Sequence, residues 1–146
     1  MIAIDPKSIP EEILKDSVLN HLAAAYFSVS KQLERKTRCS STRGFVLSTL
    51  RGGATLNQNQ IAKILGFDRT VVHRTIKTLV QEGLLSEKKA PTGRAIELSL
   101  TGKGRKYREQ LIQVRKAADE KVREALSAED RSILLRLLKQ VADLEL

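Results

Sequence analysis

Apolar residues along the 146-residue chain recur mostly at helical spacing, with one stretch that alternates. Leu14, Val18, Leu22, Ala25, Val29 and Leu33 stand three or four apart and predict a long helix over residues 10–37. Ser8-Ile9-Pro10-Glu11 is a capping-box pattern with proline in the first turn, and would open that helix. Phe45, Val46, Leu47 and Leu50 predict a helix over 41–51, ended by Arg51-Gly52-Gly53, and Ala54-Thr55-Leu56 fits a very short strand. Asn57 and Gln60 form a capping pair for a helix over 58–65, which Gly66 breaks. Asp68 is a good N-cap for a helix over 69–82, and Gly83 suits the position just past its end. Ile96, Leu98 and Leu100 alternate as one face of a strand. The Ala90-Pro91-Thr92-Gly93 turn joins this strand to Leu84-Leu85-Ser86-Glu87-Lys88-Lys89 as a hairpin. Thr101 can cap a helix over 102–126 whose stripe is Tyr107, Leu111, Val114, Ala118, Val122 and Leu126. Ser127 to Asp130 open a leucine-rich last helix over 128–145.

The pattern is therefore mainly α with a small β-hairpin, and composition removes several functions. One Cys excludes a disulfide framework and a Cys-rich zinc site, and two His, at 21 and 73, are too few for a His-based metal centre. There is no P-loop, no GxGxxG fingerprint and no nucleophile–base pairing, so neither enzyme chemistry, a catalytic residue, a metal nor a cofactor is expected. Aromatics are 3% of the chain with no Trp, which argues against a stacking platform for single strands. Neither a signal peptide nor an apolar run long enough for a membrane is visible, so the expected compartment is the cytoplasm.

Charge adds a location. The chain is +9 overall. Residues 1–39 carry 6 basic and 5 acidic groups, residues 40–107 carry 12 and 4, and residues 108–146 carry 8 and 8. A positive field concentrated in the middle attracts a polyanion, and nucleic acid is the commonest one.

Two short helices joined by a glycine turn and followed by a hairpin describe a winged helix-turn-helix. Ala62 falls where the two helices would cross, Gly66 where the turn needs a positive φ, and Val72 where the second helix packs back. Ile61, Leu65, Phe67, Ile76, Leu79 and Val80 complete a small core. On helix 69–82, Val72, Ile76, Leu79 and Val80 lie inward. Thr70, Arg74, Lys77 and Gln81 lie opposite, flanked by Val71, His73 and Thr78. Thr70 and Arg74 are the first candidates for base edges, and His73 and Val71 the second. Arg74 can grip guanine through two hydrogen bonds, and Val71 can meet a thymine methyl. Lys77 and Arg69 reach towards phosphate. Lys88, Lys89 and Arg94 at the hairpin tip would touch a neighbouring minor groove or its phosphates. The start of helix 58–65, at Asn57 and Gln58, offers amides to a phosphate, and Arg43 and Arg51 are weaker backbone candidates. For each residue the alternative is a solvated surface with no partner.

The strings Leu65-Gly66-Phe67-Asp68-Arg69-Thr70-Val71-Val72-His73-Arg74, Leu79-Val80-Gln81-Glu82-Gly83-Leu84-Leu85 and Arg94-Ala95-Ile96-Glu97-Leu98-Ser99-Leu100-Thr101-Gly102-Lys103-Gly104 resemble the MarR (multiple antibiotic resistance regulator) family. The resemblance implies a dimeric winged-helix transcription regulator, usually a repressor, that binds a palindromic operator in double-stranded DNA. It also implies release by a small effector, phenolic or another organic molecule, or by oxidation of a cysteine. The family's wing usually carries Asp-x-Arg. Here Arg94 fits the Arg and Thr92 stands at the Asp position.

The expected architecture is thus mainly α with a β-hairpin wing: an N-terminal dimerisation helix over 1–39, a winged helix-turn-helix DNA-binding domain over 40–101, and C-terminal dimerisation helices over 102–146. Leu134, Leu137, Leu138, Val141 and Leu144 give the last helix more apolar surface than one small domain covers, which points to a homodimer. Cys39 lies among Arg35, Lys36, Arg38 and Arg43, which would favour a reactive thiolate. A redox switch and a small residue filling a helix junction are the two readings. His21 and Tyr26 either line a ligand crevice or pack in a core. The competing functions are a redox-sensing regulator acting through Cys39, and a winged-helix interaction or architectural module that reads no base.

Overall fold

The structure is a computed structural model and describes residues 15–91, 93 and 95–145. The chain divides into two compact units, residues 1–41 and 42–146.

In the first unit α1 runs Val18–Thr37. Its cap is Ser17, whose Oγ accepts the Asn20 N–H at 3.2 Å. Lys15 and Asp16 are also helical, so Ser17 interrupts the helix predicted over 10–37; its predicted start and the Ser8–Glu11 box lie outside the described residues. Ser17 is extended (φ −76°, ψ 109°), and its hydroxyl takes the place of a helical carbonyl. The helix ends at Arg38, whose left-handed φ of 52° turns its N–H onto the Glu34 carbonyl. The Glu34 carboxylate accepts from the Ser41 N–H at 2.9 Å and the Ser41 hydroxyl at 3.2 Å. It thus caps the start of α2, Ser41–Thr49. No residue of α1 is buried.

The second unit holds the core. Val46 and Leu47 of α2, with Leu50, are fully buried in it. A 3-10 turn at Arg51–Gly53 follows, then β1 (Leu56–Asn57), α3 (Gln58–Leu65) and α4 (Arg69–Gln81). The wing strands are β2 (Leu85–Lys89) and β3 (Ile96–Leu100), followed by α5 (Gly102–Ala125) and α6 (Ala128–Ala142). The short strand expected at 54–56 lies one to two residues later. It pairs Leu56 with Leu98 and Asn57 with Glu97, so the hairpin becomes a three-stranded antiparallel sheet of order β1–β3–β2.

Local chemistry sets the boundaries of the two helix-turn-helix elements. Asn57 and Gln60 form a reciprocal capping box, at 2.9 and 2.8 Å. Gly66 closes α3 with φ 64°, and the Phe67 N–H returns to the Ala62 carbonyl. Phe67 packs edge-on against Phe45 with ring centroids 5.9 Å apart, which ties the turn to α2. Asp68 caps α4 by accepting the Thr70 N–H at 2.7 Å and the Val71 N–H at 3.4 Å. These bonds hold the Asp68 carboxyl below its ordinary pKa. The Thr70 backbone bond is the largest cause, followed by the Thr70 side chain and the Val71 backbone.

Ile61, Ala62, Val72, Ile76, Leu79, Leu84, Leu85 and Leu98 close the core, with Tyr107 and Leu111 of α5 packed on its edge. The alternating face of β3 is buried at Leu98, while Ile96 is 50% exposed, because the core ends before the wing tip. At the base of the wing the Thr101 N–H donates to the Leu84 carbonyl at 3.1 Å, and the Thr101 hydroxyl to the Gly83 carbonyl at 2.6 Å. The Thr101 oxygen also caps α5 by accepting the Gly104 N–H at 2.9 Å. This docking presses Gly104 onto Leu84. A Cβ at residue 104 would overlap the Leu84 carbonyl oxygen and lie 3.3 Å from Leu100 Cδ2.

Two outcomes follow from these contacts. Gly104→Ala forces backbone apart and costs about 1–3 kcal/mol or more. Gly102→Ala, whose Cβ meets only the Arg105 side chain at 3.7 Å, leaves stability unchanged or slightly raised; denaturant melts of both variants check the contrast. Asp68→Ala lowers the melting temperature at neutral pH. A carboxyl with a lowered folded-state pKa stabilises the fold above its ordinary titration range and loses that effect as pH falls through the folded value. The gap between wild type and Asp68→Ala should therefore close in acid; a gap that stays constant with pH contradicts the ionised cap.

Candidate nucleic-acid interface

Helix α4 buries Val72, Ile76 and Leu79, half-buries Thr75 and Val80 beside them, and exposes its opposite face. Thr70, Val71, His73, Arg74, Lys77, Thr78 and Gln81 are all exposed, and so is Arg69 in the first turn. The structure thus brings Arg69, Thr70, Val71, His73, Arg74 and Lys77 onto the outer face of one 13-residue helix. The Arg74 guanidinium makes no hydrogen bond or ion pair with any described residue. Thr78 and Thr75 return their hydroxyls to the Arg74 and Val71 carbonyls, at 3.1 and 2.8 Å.

Gln58 lies at the start of α3 and reaches across to α4. Its Oε1 stands 3.0 Å from His73 Nδ1, and its Nε2 donates to the Arg69 carbonyl at 3.4 Å. Sequence reasoning placed Gln58 and His73 in separate roles and missed that they touch. Nothing local in the sequence signals a pairing of residues 15 apart. The amides expected to bind phosphate at the start of α3 are partly used internally, since the Asn57 N–H donates to Gln60 and the Gln60 N–H to Asn57.

Beside α4 stands the wing. Lys88 and Lys89 are exposed on β2, and the Ala90 N–H donates to the Ala95 carbonyl at 2.9 Å to close the turn. Arg94 and Thr92 lie outside the described residues. Lys88 sits directly opposite Glu97 in the β2–β3 register, whereas Lys89 is opposite Ile96. Lys88 thus shares its face with a carboxylate, while Lys89 shares its own with an apolar neighbour. A groove of about 340 Å³ runs between helix and wing. Ile76, Val80, Ile96 and Leu98 form its apolar wall, and His73, Lys77 and Glu87 reach its rim.

Arg43 does not contribute to this face. It forms an ion pair with Glu82 at the C-cap of α4. Arg51 is exposed in the 3-10 turn. Cys39 is 5% exposed, with its thiol 3.5 Å from the Ser40 carbonyl, whereas a redox sensor needs an accessible sulfur. His21 and Tyr26 are exposed rather than in a core. His21 Nδ1 lies 2.9 Å from the Ser17 carbonyl, and Tyr26 meets Phe27 edge-on at 5.7 Å. Among the described residues no helix is long and apolar enough to cross a membrane, and no His, Cys, Asp and Glu cluster able to hold a metal is found.

Comparison with known proteins agrees with this geometry. Residues 42–95 match the family model described as "MarR family". An uncharacterized HTH-type transcriptional regulator, YwhA of Bacillus subtilis (strain 168), is 24% identical over 133 residues, covering 88% of this chain and 96% of the relative. The transcriptional repressor CouR, solved bound to a 23-mer DNA duplex, superposes with a TM-score of 0.81 at 23% identity, covering 92% of this chain and 98% of that one. The PcaV transcriptional regulator of Streptomyces coelicolor, in complex with its natural ligand, gives a TM-score of 0.73 at 24% identity, with 98% of both chains covered. Residues 42–95, the helix-turn-helix and the start of the wing, are thus similar to the MarR family, and the chain shares the fold of solved transcription regulators.

Proposed function

We propose that the chain is a sequence-specific binder of double-stranded DNA, acting as a repressor in homodimeric form on a palindromic operator. The observation that carries this reading is the split of α4. One face is locked into the core by Val72, Ile76 and Leu79, and the other presents Thr70, Val71, His73 and Arg74 to solvent. The N-terminal half of such a helix enters the major groove. Arg74 grips a guanine and Thr70 and Val71 meet neighbouring base edges. Arg69, Lys77 and the wing residues Lys88, Lys89 and Arg94 serve phosphate, and Asn57 and Gln58 hold the entry of α3 beside the backbone. CouR was captured on a DNA duplex and PcaV with its ligand. We extend both properties to this chain, the second as release of DNA by a small organic effector.

The domain plan follows. Residues 40–101 bind DNA, and residues 1–39 and 102–146 hold the dimer. Neither α1 nor α6 buries a single residue in the isolated chain. Phe27 is 68% exposed on α1 and Leu135 68% exposed on α6, beside Leu134, Leu137 and Leu138. A second copy of the chain covers these faces and sets two recognition helices roughly 34 Å apart, one helical turn of DNA.

Selection of bound duplexes from a random pool tests the reading. Wild type should enrich an inverted repeat. Arg74→Ala should relax preference at one position per half-site, while Lys89→Ala weakens binding to all sites alike. With 6–10 phosphate contacts, affinity should fall by about 10³–10⁵ between roughly 50 and 200 mM salt; a salt-insensitive affinity would instead indicate a protein-interaction module. Sedimentation at micromolar concentration should give twice the 16.3 kDa chain mass, and a clean single-chain species sinks the dimer.

A further inference from the structure

The contact between Gln58 and His73 fixes more than the distance between two helices. The Arg69 carbonyl can only accept a hydrogen bond, so the end of the Gln58 carboxamide that faces it at 3.4 Å is the NH₂. The oxygen then faces His73 Nδ1 at 3.0 Å. An amide oxygen also only accepts, so the proton of the neutral imidazole sits on Nδ1. Nε2 is left as a bare acceptor, and it makes no hydrogen bond with any described residue. His73 is exposed on the same helix face as Arg74.

We propose that His73, with its tautomer set by Gln58, selects a base carrying an amino group over a base carrying a keto group at one position of each half-site. The proposal rests on the DNA-binding reading above. In the major groove adenine offers its N6 amino group and cytosine its N4 amino group, whereas guanine and thymine present only acceptors at the corresponding edge. A lone acceptor pairs with the first two and confronts the oxygens of the last two. Every base pair holds one base of each kind, so what His73 reads is which strand carries the amino base. Arg74, a donor, reads the opposite chemistry one residue further along. Gln58 is a positioning residue in this scheme. It touches no base, and its carboxamide decides what the ring presents. The charged groups that line the helix–wing groove with the ring are Lys77 and Glu87, and neither is hydrogen-bonded to it.

The full chain is tested by selection from random duplexes, followed by binding to the selected site and its single-base variants. Wild type should favour adenine or cytosine over guanine or thymine by about three- to tenfold at one position per half-site, the range of a single hydrogen bond. His73→Ala should flatten that position and leave the guanine read by Arg74 in place. Gln58→Ala should flatten the same position, because the ring then presents either nitrogen, while the guanine preference read by Arg74 persists. Gln58→Glu sets a carboxylate against Nδ1, which favours the imidazolium and turns Nε2 into a donor, so the preference at this position should shift towards guanine or thymine. A merely structural role for Gln58 would lower affinity at every position alike, with no change of preference. Where adenine is selected, a purine lacking the 6-amino group should weaken wild type three- to tenfold and leave His73→Ala indifferent. Thermal melts of both alanine variants should match wild type, since both side chains lie outside the core. Guanine or thymine at the His73-dependent position, or no position that responds to His73→Ala, overturns the assignment. A wild-type chain that selects no sequence overturns the DNA reading, and this assignment with it.

Discussion

The orientation of α4 about its own axis is decided by the burial of Val72, Ile76 and Leu79, and the outward face of the helix is set by the same event. Each of these side chains gains on the order of 1.5–3 kcal/mol by leaving water. A rotation of the helix that turned Arg74 inward would expose them and bury a guanidinium with no carboxylate to meet it. The flanking turn enforces the same orientation. Gly66 bends the chain in the left-handed region, and Asp68 ties down the Thr70 and Val71 amides in the first turn of α4. The rotational setting of the outer residues therefore does not depend on their own interactions, which leaves them available to choose a ligand.

A second constraint lies at the base of the wing, where α5 docks through the Thr101 bonds to Gly83 and Leu84 and through the missing side chain of Gly104. Gly83 ends α4 with a φ of 71°, so a single loop both terminates the recognition helix and receives the N-terminus of α5. A displacement of α5 along its axis would be felt by Leu84 and, through it, by the core that orients α4. Coupling of this kind needs no long pathway, because the Thr101 N–H bond to Leu84 and the close approach of Gly104 to Leu84 are backbone to backbone and cannot be absorbed by a rotamer change.

How much of this was legible follows the range of each interaction. Helix limits came through wherever a local device sets them: the Asn57–Gln60 box, Gly66, Asp68, Thr101 and Ser127 act within four residues, and the periodicity of α4 gives its buried face directly. The interruption of the first helix at Ser17 is not legible, because the apolar stripe continues past it and a stripe does not show where a hydroxyl breaks the backbone pattern. β1 was misplaced because a two-residue strand is defined by its partner, Leu98 and Glu97, and not by its own sequence. The contacts that shape the candidate interface are long-range side-chain pairings. Arg43 meets Glu82 across 39 positions, and Gln58 meets His73 across 15. From sequence, Arg43 read as one more cation for phosphate and Gln58 as a helix-start residue, since composition counts charges and donors without showing which are already used within the fold.

That distinction bears on how the basic surface works. Residues 40–107 contain four acidic groups, and the structure assigns each a position. Asp68 serves as a cap, Glu82 holds Arg43, Glu97 stands across from Lys88, and Glu87 shares the groove rim with Lys77. Arg74 on the helix and Lys89 on the wing make no ion pair with a described carboxylate. An ion-pair contact with phosphate draws its free energy largely from released counterions and so weakens with salt, while a neutral imidazole that accepts one hydrogen bond releases none. On the proposed reading Arg74 would both attract a duplex and read it, whereas His73 would discriminate without adding charge. Only the attraction is diluted by ionic strength, so the ratio between a preferred and an unpreferred amino-base position should be steadier in salt than the affinity itself.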